Sequence, residues 1–173
     1  MSNNQQATDR RSSRLGLLAS AFSPWHPGYC WAMQQAVEAE ACDGIFAAMH
    51  VDPSVERPDK RRPVLTLSER LVLLRSTRYV QAVCTYTTEA ELRGLIRTLY
   101  GKICCLVVGE DHRHDSVTGG DLGVPIFWVR RRPEWSGTEF TRRIYEAEKT
   151  RREAVDAAKI LARPCEPRSC PVS

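Results

Sequence analysis

His26 and Gly28 stand in the bend Ser23-Pro24-Trp25-His26-Pro27-Gly28, between a short apolar run and an amphipathic stretch. A helix beginning at that bend would present unpaired N–H groups and roughly half a positive charge, which together favour an anion. A glycine there lets a bulky anion come close to the backbone. The imidazole can donate to a phosphate oxygen, and adds charge when protonated. Further along lie a basic knot, Lys60-Arg61-Arg62, the turn Gly109-Glu110-Asp111, and Arg131 followed by Ser136 and Thr138. The last two offer a second anion cradle with two hydroxyls. Two cradles and a basic loop suit a polyphosphate. Each feature also has a plain structural reading: a turn histidine, a solvated cationic loop, a cap for the next element.

These residues gain meaning from the elements that must position them. Leu15 to Phe22 reads as a buried strand. Apolar residues at Tyr29, Ala32, Met33, Ala36 and Val37 follow the i, i+3, i+4, i+7, i+8 rule of a one-faced helix. Strands are expected at 44–50, 80–86, 103–108 and 124–129. The run Ile103 to Val108 is continuously apolar, as in a strand covered on both faces. Thr66-Leu67-Ser68-Glu69, Thr88-Glu89-Ala90-Glu91 and Ser136-Gly137-Thr138-Glu139 each have capping-box spacing. They predict helices running to about Arg78, Tyr100 and Leu161. Strands and helices alternate, five of each, which predicts an α/β domain: a Rossmann-like parallel five-stranded sheet with helices on both faces. Ligands of such sheets sit at the carboxyl ends of the strands. His26, the Lys60 loop, Gly109-Glu110-Asp111 and the Arg131 segment all follow strands.

The chain has 173 residues, enough for one domain with one core. The boundaries expected are a disordered basic tail over 1–13, the domain over 14–161, and a C-terminal tail over 162–173. The net charge of +4, from 25 Lys+Arg against 21 Asp+Glu, suits anionic small molecules. No interleaving of aromatic and basic residues points to nucleic acid. No apolar run approaches the ~18 residues of a membrane span, and residues 1 to 14 lack the apolar centre of a signal peptide. The seven cysteines are read as reduced thiols in a cytoplasmic protein. In a strand, adjacent Cys104 and Cys105 should face opposite ways. Cys165 and Cys170 lack a second close pair to complete a zinc site, and no metal site is expected. His112 and His114, beside Asp111 and Asp115, read as loop residues that could at most supply an imidazole.

The stretch Ser20-Ala21-Phe22-Ser23-Pro24-Trp25-His26-Pro27-Gly28-Tyr29 resembles the G-x-F-D-x-x-H-x-G-H motif of the cytidylyltransferase-like nucleotidylyltransferases. Phe22, His26 and Gly28 match. The segment "KRRPVLTLSERLVLLRSTRYVQAV" resembles that family's basic loop, E-R helix and R-Y-V-D-x-V strand entry. Gly109-Glu110-Asp111 is similar to its G-x-D turn, and Arg131 with Ser136 and Thr138 to its R-x-x-x-I-S-x-T motif. The likeness runs from about Leu15 to Ile144. It implies transfer of CMP or AMP from the nucleoside triphosphate, carried with Mg2+, to a small phosphorylated alcohol or sugar. By resemblance, His26 and Lys60 act at the phosphates, with Tyr29 at the position of the motif's second histidine. Phe22, Gly28, Gly109, Glu110, Asp111, Arg131, Ser136 and Thr138 would line the nucleotide, and Arg62 and Arg70 the acceptor. Dimers are common in the family, so a homodimer is one expectation. Ser20, Ser23 and Tyr29 depart from the motif. A neutral phenol in place of the second imidazole opens an alternative: a regulatory nucleotide-binding module with little turnover.

Overall fold

The computed structural model describes residues 14–114 and 116–161. Both expected tails, with Cys165 and Cys170, lie outside the described residues, as does Asp115. The elements are β1(Leu15–Ser20), α1(Pro27–Glu38), β2(Gly44–His50), α2(Leu67–Arg75), β3(Val80–Tyr86), α3(Glu89–Thr98), β4(Ile103–Gly109), β5(Ile126–Val129) and α4(Gly137–Leu161). All strands pair in parallel in the order β3-β2-β1-β4-β5. The order reverses direction between β1 and β4, where a crevice opens outside their carboxyl ends.

Both faces of the sheet are covered. Met33 and Ala36 of α1 and Leu74 of α2 pack on Leu18, Ile45, Ala47, Met49 and Val107. Leu92 and Ile96 of α3 pack on the other face with Leu17, Ala48 and Leu106. Neighbours such as Leu17 and Leu18, or Ala47 and Ala48, go to opposite faces as the pleat requires.

The alternation fails at two register shifts. β2–β3 passes from Ile45↔Val80 to Phe46↔Ala82, so Val80 and Val83 share a face, and β1–β4 is the second. The β1–β4 register shifts between Leu15↔Ile103 and Gly16↔Cys105, so Cys104 has no partner on β1. The bulge interrupts the pleat. Cys104 and Cys105 therefore both pack into the cluster under α1, and the Cys104 thiol bonds the Leu15 and Ala41 carbonyls at 3.4 and 3.2 Å. The expectation of opposite faces is corrected accordingly. The five described cysteines are free thiols.

The expected five helices are corrected to four α-helices among the described residues. The β4–β5 connection, with Gly119 and Gly123 both at positive φ, makes only single 3-10 turns at Glu110–His112 and Gly120–Leu122. Glycines in that conformation break a helix. Of the three capping boxes, only Thr66/Glu69 is reciprocal. Thr88 caps the Glu91 amide, but the Glu91 carboxylate bonds Thr87 instead. Ser136 caps the Glu139 amide at 3.2 Å, while the Glu139 carboxylate holds Arg142.

Candidate functional site

The chain leaving β1 turns sharply into α1. Phe22 adopts positive φ (49°) and is fully buried, packed against Trp25 and Tyr29 with ring centroids 6.2 and 4.9 Å away. It anchors the turn and does not line the cavity described below, so its role is to fix the elbow. His26 is the N-cap of α1. Its Nδ1 accepts from the Gly28 amide at 3.2 Å, its carbonyl accepts from the Tyr29 amide, and its ring stacks on Tyr29 at 4.2 Å. The cap needs a bare Nδ1, which places the proton on Nε2. Burial, helped by the Arg131 charge, holds the imidazole below its ordinary 6.5, against the pull of a hydrogen bond to the Trp135 carbonyl.

The N-terminus of α1 is therefore closed. Pro27 has no N–H, and the Gly28 and Tyr29 amides are taken by His26. Gly28 serves a different close approach from the one expected. A Cβ there would lie 2.4 Å from the Trp135 carbonyl oxygen, so this glycine admits the chain entering α4 and not a ligand. Tyr29 is also committed. Its hydroxyl is 3.2 Å from the Ser20 Oγ, and burial pushes the phenol's pKa up.

The N-terminus of α4 is brought up against His26: a Cβ on Gly137 would sit 3.4 Å from the imidazole. No hydrogen bond among the described residues engages the Gly137 or Thr138 amide. Ser136 is buried and its hydroxyl is spent on Glu139, whereas Thr138 is exposed and off the cavity. The entry to α4 is clamped to α1. Arg132 lies between the rings of Trp31 and Trp135, at 4.2 and 4.4 Å, and the Trp31 and Gln35 side chains both donate to the Arg130 carbonyl. Arg131 ties the ends of β4 and β5: its amide donates to Glu110 at 2.9 Å and its guanidinium bonds Asp111.

These groups border one cavity of about 560 Å3 over the β1–β4 crevice. That is within the range of small-molecule sites. His26, Gly28, Tyr29, Lys60, Gly109, Asp111, Arg131 and Ser136 line it, as do Arg61 and His112. Phe22, Glu110, Thr138, Arg62, Arg70 and His114 do not. Arg62 is 86% exposed, with its Nε 3.6 Å from Asp52. Arg70 departs furthest from expectation. It is 2% exposed and donates to the carbonyls of Ala21, His50 and Val51 at 2.7–2.8 Å, tying the ends of β1 and β2 together. A guanidinium so engaged is a brace, and an acceptor phosphate would have to break it.

The sequence reading missed His50, Tyr86, Arg57 and Glu89, which line the far part of the cavity, and the Trp31–Arg132–Trp135 stack. The signal for His50 and Tyr86 is that each is the last residue of a strand, one position before the loops that strand-end placement singles out.

No protein-family model and no curated protein matches the chain. Among solved structures, it is similar to the lipopolysaccharide core biosynthesis protein from Thermoplasma volcanium GSS1. The identity is 17% and the TM-score 0.56, over 69% of this chain and 98% of that one. The likeness establishes the fold: a five-stranded parallel Rossmann-like sheet with helices on both faces.

Proposed function

We propose that the chain is a nucleotidylyltransferase, transferring CMP or AMP from a nucleoside triphosphate to a small phosphorylated alcohol or sugar. The observation that carries this reading is the gathering of His26, the open N-terminus of α4, Lys60, Arg61 and Arg131 around one cavity at the sheet's switch point. The α4 amides and dipole suit the triphosphate. Its oxygens would accept from the His26 Nε2–H, which faces the Gly137 end of α4. An acceptor phosphate oxygen attacks the α-phosphorus in line. The new P–O bond forms as the α–β bridging P–O bond breaks, and pyrophosphate leaves with the electron pair. Mg2+ enters with the triphosphate, as part of the substrate. The protein contributes orientation and fixed positive charge, which strengthen as charge builds on the leaving group.

The test is to supply CTP or ATP with phosphorylated acceptors and follow pyrophosphate. His26→Ala should lower the rate by about 10²–10³, the usual effect of deleting a donor to developing negative charge. Release that survives the substitution unchanged removes the assignment.

One observation favours the second reading, a nucleotide-binding module of low turnover. Ser20 and Tyr29, two of the departures from the family motif, bond each other. The phenol is thereby held in the turn and away from a reacting phosphate. Under that reading the paired substitution Ser20→Gly with Tyr29→His raises turnover at least tenfold. Under the first, it does not.

A further inference from the structure

His50 closes β2 and Tyr86 closes β3, and the two are register partners. Their rings meet at 4.7 Å. Both line the end of the cavity that runs beneath the N-terminus of α3. His50 is 1% exposed, yet neither ring nitrogen has a hydrogen-bond partner among the described residues. The Glu56 carboxylate is 3.7 Å from Nε2, too far for a hydrogen bond. Buried polar atoms are rarely left so. Nothing of this kind occurs around His26, whose ring is engaged by Gly28 and Trp135.

The surroundings define what would satisfy the ring. Glu56 caps the Glu89 amide at 3.0 Å, and Glu89 is held by Arg57 at 3.2 Å and by the Thr118 hydroxyl. Arg57 pairs with only one of the two carboxylates, so this end of the cavity keeps a net negative charge and disfavours a second anion. An acceptor's phosphate therefore belongs at the cationic end, near Lys60 and Arg61. A neutral imidazole offers one donor and one acceptor. An ammonium has no acceptor to give the ring N–H. A hydroxyl can both donate and accept, and the C–H face of a polyol fits the apolar walls of Leu92 and Ile96.

We propose that His50 and Tyr86 bind the hydroxyls of a phosphorylated polyol or sugar in this arm of the cavity. Its role as acceptor rests on the transferase reading above; its binding does not. The experiment is calorimetry on the full chain with glycerol 3-phosphate, ribitol 5-phosphate and glucose 1-phosphate, against phosphocholine and inorganic phosphate, and separately with CTP and ATP. At least one hydroxylated phosphate should bind ten times more tightly than phosphocholine or phosphate. His50→Leu should weaken it at least tenfold and Tyr86→Phe about fivefold, with nucleotide affinity moving less than twofold. Equal affinity for phosphocholine, or wild-type polyol affinity in both variants, overturns the proposal. If His50→Leu melts below the assay temperature, Tyr86→Phe decides by the same criterion. Polyol phosphate binding without nucleotide binding overturns the transferase and leaves this inference standing. Pyrophosphate release with phosphocholine alone does the reverse.

Discussion

The N-termini of α1 and α4 point at the same cavity, and only one of them can offer its amides to it. The first turn of α1 begins with a proline, and His26 takes its next two amides. α4 begins with Gly137, and its first two amides are engaged by nothing among the described residues. The two ends are not independent. The residue that closes α1 stands beside the open end of α4, and the glycine at α1 exists to admit the backbone just before α4. A helix start is thus an anion site only where its own cap leaves it one. Here the capping side chain of one helix becomes a wall of the other helix's site.

The comparison can be broken most severely at Gly28. Gly28→Ala drives a methyl against the Trp135 carbonyl, 2.4 Å from the ideal Cβ position. Overpacking of this kind costs about 1–3 kcal/mol, and relief requires α4 to move away from His26. Chemical denaturation should register the loss, and nucleotide affinity should fall with it. Next in size is His26 itself. His26→Ala should cost about 1 kcal/mol of stability through the lost cap, whereas His26→Asn keeps a capping oxygen and should recover most of that without recovering pyrophosphate release. The same pair tests the imidazole's protonation. Its folded pKa is lowered, so the unfolded chain binds the proton more readily. Its contribution to stability is full above the ordinary 6.5 and is lost as pH falls below that towards the lowered folded value. The drop in Tm of the wild type between pH 7 and 5 should therefore exceed that of His26→Asn. The smallest effect is expected at exposed Thr138. Thr138→Asp should stabilise α4 by about 0.3–1 kcal/mol through its dipole. The same charge should repel a triphosphate by ~1 kcal/mol, roughly fivefold in affinity. If both quantities move in the same direction, the α4 terminus is not where the anion sits.

Much of the fold was legible because it depends on short-range patterns. The β2 and β3 boundaries, Gly44–His50 and Val80–Tyr86, are those the apolar runs predict, and Thr66, Thr88 and Ser136 all cap helices. The reading failed where a pattern was interrupted by a partner distant in the chain. The bulge at Cys104 arises from pairing with β1, and Ser20 ends β1 two residues early because the chain must turn at Phe22. In the site, strand-end placement brought out His26, Lys60, Asp111 and Arg131. It could not show that Arg70, a cation on the predicted helix face, would turn inward to brace three carbonyls. Nor could it show that His50 would be buried at the far end of the cavity with neither ring nitrogen bonded among the described residues.

What the amino-acid sequence determined by itself was the succession of strands and capped helices, and hence which residues follow a strand. Hydrophobic period and capping chemistry act over a few residues and need no knowledge of the rest of the chain. What only the tertiary structure decided was which polar groups remain to meet a ligand. Gly28, Tyr29, Ser136 and the two terminal nitrogens of Arg70 satisfy partners within the protein, while the α4 amides and the His50 ring lack hydrogen-bond partners among the described residues. The physical reason is that a hydrogen bond is a pairing between two places, and in a folded chain the second place is set by packing across the sheet.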